Sequence, residues 1–312
     1  MSIKRLAAHL APVDFISIVF LTFLICLNII FWGKVREWIE IIVINLSVIF
    51  FIVFLAYIAE TTKNRLYIIL HRFYSYLIII FVFKEIYLMV RPINPVDYDY
   101  FLIAVDKWMF GVNPTEWLEK FAHPLLTEIL QIAYFSYYFL FIILGIEIYR
   151  RYPIEEFDKS AFIVVYGFYL SYMGYFILPA VGPRFTLHNF YLINDELPGV
   201  FFTRWIRDFI NAGESISFNM PNAIEIVQRD VFPSGHTQLT IVVMYMARKY
   251  KLKTRLLLTI LGVLLIISTV YLRYHYVIDI LAGIVFFVLT VWTGRMVSDW
   301  WDRKKIEFNS TS

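Results

Sequence analysis

The sequence predicts an all-α, polytopic membrane protein, and three observations predict it. Of its 312 residues 60% are hydrophobic and 17% charged, against roughly 45–50% and about 25% in soluble domains. Uncharged runs such as Phe15 to Trp32 and Leu256 to Leu272 approach the ~20 residues that span a bilayer core. The net charge is only +3 and is spread along the chain, without the concentrated basic face of a nucleic-acid binder, so nucleic acid is excluded as a partner. A single cysteine, Cys26, lies inside the first apolar run, which rules out an intramolecular disulfide and a Cys-based metal cluster.

The hydropathy pattern gives about eight apolar segments. The first, 14–32, follows Lys4 and Arg5; it is longer than a signal peptide's ~7–15-residue core and has no small-residue cleavage site, so it is read as a retained helix. The others are 41–59, 66–90, 125–149, 160–180, 234–250, 255–273 and 275–297. An even number places both termini on one side. The short turn bearing Arg248, Lys249, Lys251, Lys253 and Arg255 marks that side as cytoplasmic, because positive-inside bias is strongest in short loops beside helix ends. The expected organisation is two accessory helices in 1–62, a six-helix core in 63–298, and a polar, frayed tail in 299–312.

Two stretches on the opposite side do not span. Segment 97–120 alternates aromatics with acids, as helices lying in the interface do. Segment 181–232 carries Gly182-Pro183-Arg184 and the patch Phe201, Phe202, Trp205, Ile206, Phe209. It exceeds the ~12–15 residues of a simple connector, a length typical of lids and binding loops.

Ionisable groups at the ends of membrane helices are costly and so are candidates for function. Three clusters share the extracytoplasmic face in this topology. Lys84 and Arg91, seven residues apart, leave one face of the third segment two turns apart and can grip one anion; taken alone, such a pair more often snorkels to the interface. Ser234, Gly235 and His236 open the sixth segment directly after Pro233, where unpaired backbone N–H groups and the helix dipole favour an oxyanion, although Ser234 also suits an ordinary N-cap. His275 and Asp279, spaced i, i+4, allow the carboxylate to accept the imidazole proton and leave the other ring nitrogen as a nucleophile. A structural His–Asp pair is the commoner outcome of that spacing alone. Asp97, Asp99 and Asp106 match no metal-loop spacing and suit interfacial capping; His71, His123 and His188 have no partner placed by sequence, and His9 reads as a surface residue.

Together, Lys84-x6-Arg91-Pro92, then Pro233-Ser234-Gly235-His236, then Ser268 followed by His275-x3-Asp279 and Gly283 closely resemble the three signature motifs of the type-2 phosphatidic acid phosphatase superfamily, over residues 84–283. The resemblance implies that His275 attacks phosphorus to give a phosphohistidine, that Asp279 orients it, and that His236 protonates the leaving oxygen. Lys84, Arg91, Ser234 and Gly235 would hold the non-bridging oxygens, and no metal or other cofactor would be needed. The chemistry suits residues that position a phosphoryl group and surround it with positive charge.

One position departs from the pattern. The family's Ser-Arg pair is here Ser268-Thr269, and either Arg184 or Arg273 is the replacement for the missing arginine. The run Tyr271-Leu272-Arg273-Tyr274-His275-Tyr276 resembles the inositol phosphorylceramide synthase branch, whose members transfer a phospho-headgroup between lipids. The expected activity is hydrolysis of a phosphate ester on a membrane lipid at the extracytoplasmic (periplasmic or lumenal) face. The alternative is transfer of a phosphoryl or phosphoinositol-type headgroup to a lipid alcohol such as ceramide or diacylglycerol. A lipid transporter or scramblase without chemistry is the third reading; its charges belong at mid-membrane depth, whereas these gather at one face.

Overall fold

The computed structural model describes residues 3–310, and no strand occurs among them. In chain order the helices are α1 (Ile3–Ala8), α2 (Pro12–Ile30), α3 (Trp38–Thr62), α4 (Arg65–Ile93), α5 (Asp99–Phe110), α6 (Pro114–Leu118), α7 (Pro124–Phe135) and α8 (Tyr137–Arg151). They continue as α9 (Ile154–Ile177), α10 (Pro183–Thr186), α11 (Ile193–Glu196), α12 (Thr203–Gly213), α13 (Ala223–Ile226), α14 (Gly235–Lys249), α15 (Arg255–Tyr271) and α16 (Val277–Ser310).

Every apolar segment of the sequence is helical, but the lengths differ from expectation. Five helices, α2, α3, α4, α9 and α16, are long and apolar enough to cross a membrane, and α7 with α8 makes a sixth if the pair, bent by 48°, is one span. The remaining two, α14 and α15, have 15 and 17 residues; at a rise of about 1.5 Å per residue they reach about 22–26 Å, short of a ~30 Å hydrocarbon core.

The chain forms two compact units. The first comprises Met1–Ile93, Arg151–Leu170 and Leu289–Ser312, and its α2, α3 and α4 pack on one another. Several of the polar groups inside it are paired, as a low-dielectric interior favours. Asp14 accepts from the Ala11 N–H at 2.7 Å and meets His71 Nε2 at 2.8 Å, with the Tyr74 hydroxyl also donating to it. Asn45 donates to Glu85, both of them buried. The polar stretch from Trp301 onward is not frayed: α16 continues through Ser310. Its indole explains why, since Trp301 is buried, stacks on Phe15 at 4.1 Å and donates to the Leu10 carbonyl at 3.0 Å. Thr311 and Ser312 of that segment lie outside the described residues.

The second unit comprises Asn94–Arg150 and Ser171–Val288, with α15 packed on α7 and α14, and α12 on α7. Segment 181–232 is not an open loop but a series of short helices held by buried charges. Glu128 of α7 accepts the Val200, Phe201 and Phe202 N–H groups at 2.8, 3.2 and 2.6 Å and the Thr203 hydroxyl at 2.7 Å, which caps α12 from outside it. Arg207 of α12 donates to the Ile193 and Leu197 carbonyls at 3.2 and 2.9 Å and to Gln131 at 3.2 Å. With Ile206 and Ile210 turned inward, α12 exposes Trp205 and Phe209, next to Phe201 and Phe202. This apolar outer edge suits the membrane interface.

Candidate functional site

The short motifs are assembled by the ends of α14, α15 and α16. Ser234 is the N-cap of α14, its hydroxyl accepting the Thr237 N–H at 3.2 Å, while its own N–H donates to the Asp279 carbonyl at 3.1 Å. Two glycines make the approach possible. A Cβ on Gly235 would lie 2.7 Å from the Tyr175 hydroxyl, and one on Gly283 would lie 2.8 Å from the Ser234 carbonyl and 3.0 Å from Thr237 Cβ. Gly283→Val is therefore expected to lower stability by about 1–3 kcal/mol through overpacking, read as a fall in the melting temperature of the purified protein.

At the C-terminus of α15 the chain reverses through Arg273, whose φ is +66°. The N–H groups of Tyr274 and His275 both donate to the Thr269 carbonyl, at 2.9 and 3.0 Å. Thr269, which stands where the motif arginine was expected, is fully buried, and its hydroxyl donates to the Ile266 carbonyl at 2.7 Å.

The turn brings His275 Nε2 to 3.4 Å from His236 Nδ1. On the other side His275 Nδ1 lies 3.4 Å from Asp279 Oδ2 without a hydrogen bond, and that oxygen accepts the Tyr276 N–H at 2.8 Å. Asp279 is the third residue of α16 and reaches back to the residue before the helix, as an acid at that position does in a capping box. The carboxylate thus serves the helix end and faces the imidazole at once. Hydrogen bonds between catalytic groups tighten around substrate.

The sequence did not disclose the aromatic shell around this pair. His236 is stacked on Tyr134 at 4.7 Å and meets Tyr137 at 4.4 Å, and Tyr134 stacks on Tyr274 at 4.3 Å. Both tyrosines flank the break between α7 and α8, and the aromatic run 134–139 around Ser136 was the only available signal.

The two candidate arginines are placed differently. Gly182, with φ +93° and only 2.8 Å between its ideal Cβ position and the Tyr274 carbonyl, admits no side chain. It turns Arg184 so that its N–H donates to the Arg273 carbonyl at 3.0 Å and its guanidinium lies 4.7 Å from the Tyr274 ring centroid. Arg184 pairs with Glu214 and acts electrostatically on both His236 and His275. Arg273 is fully buried and pairs with Glu196 and, at 3.4 Å, with Glu119. Its field reaches His188 instead, whose pKa is held down to about 4 by burial first and by Arg273 second.

The second unit thus brings together His236, His275, Asp279, Ser234, Gly235, Arg184 and Arg273. Lys84 and Arg91 belong to the first unit, at exposed positions of α4. The histidines without partners in the sequence acquire them: His71 meets Asp14 at 2.8 Å, His188 meets Thr115 at 3.0 Å, and His123 caps α7 by accepting the Leu125 N–H at 3.3 Å. Asp97 pairs with Arg229 at 3.1 Å, whereas Asp99 and Asp106 bind backbone amides.

A family model described as the PAP2 superfamily matches residues 100–293. This stretch includes all seven site residues of the second unit and excludes Lys84 and Arg91. A PA-phosphatase related-family protein from Dictyostelium discoideum is 29% identical over 184 residues, which cover 53% of this chain and 31% of that protein. The chain therefore spans less than a third of that relative's length. No solved structure matches the chain.

Proposed function

The chain belongs to the PAP2 superfamily, and on that premise we propose that it hydrolyses a phosphate monoester on a membrane lipid through a phosphohistidine on His275, without a metal. The observation that carries the reading is the 3.4 Å approach of His275 Nε2 to His236 Nδ1 at the N-terminus of α14. A phosphoryl group entering there meets a nucleophile, a proton donor for the leaving oxygen, and the unpaired amides of a helix start. Asp279, 3.4 Å from His275 Nδ1, is the acceptor that orients the ring around substrate. Ser234 and Gly235 offer donors to the non-bridging oxygens, and the match of Lys84 and Arg91 to the first motif assigns them to phosphate binding as well.

Arg184 takes the place of the missing motif arginine, supported by its guanidinium lying 4.7 Å from the ring centroid of Tyr274, the residue before His275. Arg273 is a structural ion-pair centre. Arg184→Gln is expected to lower kcat/KM by about 10²-fold, the scale of one lost donor to a developing charge. Arg273→Gln is expected to lower the melting temperature more than it lowers kcat/KM, because it strips the partner from Glu196 and Glu119. Thermal melts and initial rates on both variants check the pair.

The site faces the extracytoplasmic side. Residues 234–236 and 273–275 sit at one end of the α14–α15 hairpin, and the basic turn 248–255 sits at the other, where positive-inside bias places the cytoplasm. The exposed aromatics of α12 and of α5, where Tyr100 and Trp108 are 88% and 84% exposed, sit where an amphiphile approaches from the bilayer.

The burial of His275, 3% exposed, favours a second reading. A phosphohistidine so shielded from water can be resolved by a lipid hydroxyl, giving phosphoryl transfer, or phospho-headgroup transfer where a phosphodiester donor has lost its lipid alcohol and left the headgroup on the phosphorus bound to His275. The deciding experiment uses purified protein in detergent without divalent metal, offered phosphatidic acid, isoprenoid phosphates and phosphoinositides with and without ceramide or diacylglycerol, while free phosphate and new lipid species are followed together. Phosphate release supports hydrolysis, a new phospholipid without phosphate supports transfer, and silence on both supports a transporter.

A further inference from the structure

We infer that Asp99 and Asp106 of α5 are positioning residues that set the geometry of His275 and Arg184; the inference deepens the phosphohistidine reading and rests on it. The two acids are seven residues apart, so they leave one helix face two turns from each other. They are 3% and 1% exposed. Asp106 accepts the Val277 and Ile278 N–H groups, both at 2.8 Å, one on each carboxylate oxygen. Asp99 accepts the Val181 and Gly182 N–H groups at 3.0 and 2.8 Å, and the Tyr276 hydroxyl at 2.8 Å.

The local sequence explains why these bonds are needed. The first amides of α16 have no intrahelical acceptor. The residue before the helix is Tyr276, whose side chain cannot cap it, and Asp279 satisfies only the Tyr276 N–H. Asp106 supplies the missing cap from another helix. The amides it binds follow His275 by two and three residues and immediately precede Asp279. Asp99 does the same for the turn two residues before Arg184, and through the Tyr276 hydroxyl, which also meets Thr186 at 2.7 Å, it ties that turn to the histidine loop.

One helix face therefore holds both strands of chain that present the phosphate-handling side chains. The packing agrees: Leu102 of α5 forms one apolar cluster with Ala180, Val231 and Tyr276. Each acid is selected for two acceptor oxygens. In Asp106→Asn one oxygen becomes an NH2 group facing an N–H, donor against donor, and the loop must shift. Displacements of about 1 Å at a reacting group cost on the order of 100-fold in rate.

The test compares wild type, Asp99→Asn, Asp106→Asn and Tyr276→Phe in two readouts: kcat and KM for phosphate release from phosphatidic acid in mixed micelles, and amide hydrogen exchange of the peptides covering 181–186 and 272–279. Tyr276→Phe keeps both carboxylates and tests the Asp99 tie if an Asn variant fails to fold. The expected result is a kcat loss of about 100-fold for the Asn variants and about tenfold for Tyr276→Phe, with KM within threefold and faster exchange confined to those peptides. A kcat within threefold of wild type in the folded variants, or a loss expressed in KM alone, overturns the inference. If wild type releases no phosphate, the hydrolytic reading fails and exchange alone decides. Lost protection at 272–279 in Asp106→Asn then upholds the positioning role, and unchanged protection overturns it.

Discussion

His275→Ala is expected to abolish phosphate release, a loss of at least about 10⁴-fold, the scale on which nucleophile removal is felt. The side chain's role is to form and break the bond to phosphorus, and no neighbour can substitute. The His236 ring is held against Tyr134 and Tyr137, and Asp279 is held at the start of α16 by the Tyr276 amide. The loop should persist, because the Tyr274 and His275 amides are anchored to Thr269 through the backbone. Wild type incubated briefly with radiolabelled lipid phosphate should retain an acid-labile, base-stable label, and the variant none. Turnover retained by pure, folded His275→Ala would falsify the nucleophile assignment.

His236→Asn is expected to separate substrates by their leaving groups. General acid catalysis contributes typically 10²–10⁴-fold, and it matters only where the departing oxygen needs a proton. Release from an alkyl phosphate such as phosphatidic acid should fall by about 10³-fold, whereas release from 4-nitrophenyl phosphate, whose phenolate departs unaided, should fall by less than about tenfold. Equal losses on both would assign His236 to binding rather than proton transfer. The ring sits at the first turn of α14 beside Ser234 and Gly235, so a proton given there leaves with the lipid alcohol while the phosphoryl group stays against the amides.

Much of this was legible in the sequence. The apolar runs gave every long helix, since uncharged stretches of that length have no other comfortable structure. Ser234, Gly235, His236, His275 and Asp279 were legible because each group is contiguous or one helical turn apart, and local geometry decides where such neighbours point. What stayed hidden lies at long sequence separation. Asp106 meets Val277 across 171 residues, His71 meets Asp14 across 57, and Trp301 reaches Leu10 across 291. Periodicity tells which face of a helix is buried, but not what covers it. Hence Asp99 and Asp106 read only as interfacial caps, the polar C-terminal segment read as frayed although one buried indole pins it, and Arg184 and Arg273 carried equal weight until their counter-ions were seen.

The junction of α14 and α16 carries a consequence for how this protein can change. The Ser234 carbonyl occupies the space a side chain on Gly283 would need, and the Ser234 amide is bound to the Asp279 carbonyl. Position 234 is distant in sequence from 279 and 283, yet the three share one set of contacts, so substitutions among them should be strongly epistatic, with effects in pairs departing from the sum of the singles by about 0.5–3 kcal/mol. A substitution tolerated at one of them will depend on what occupies the other two. Drift through this part of the sequence is therefore confined to concerted exchanges, and a library that varies the three positions one at a time will understate what the scaffold accepts.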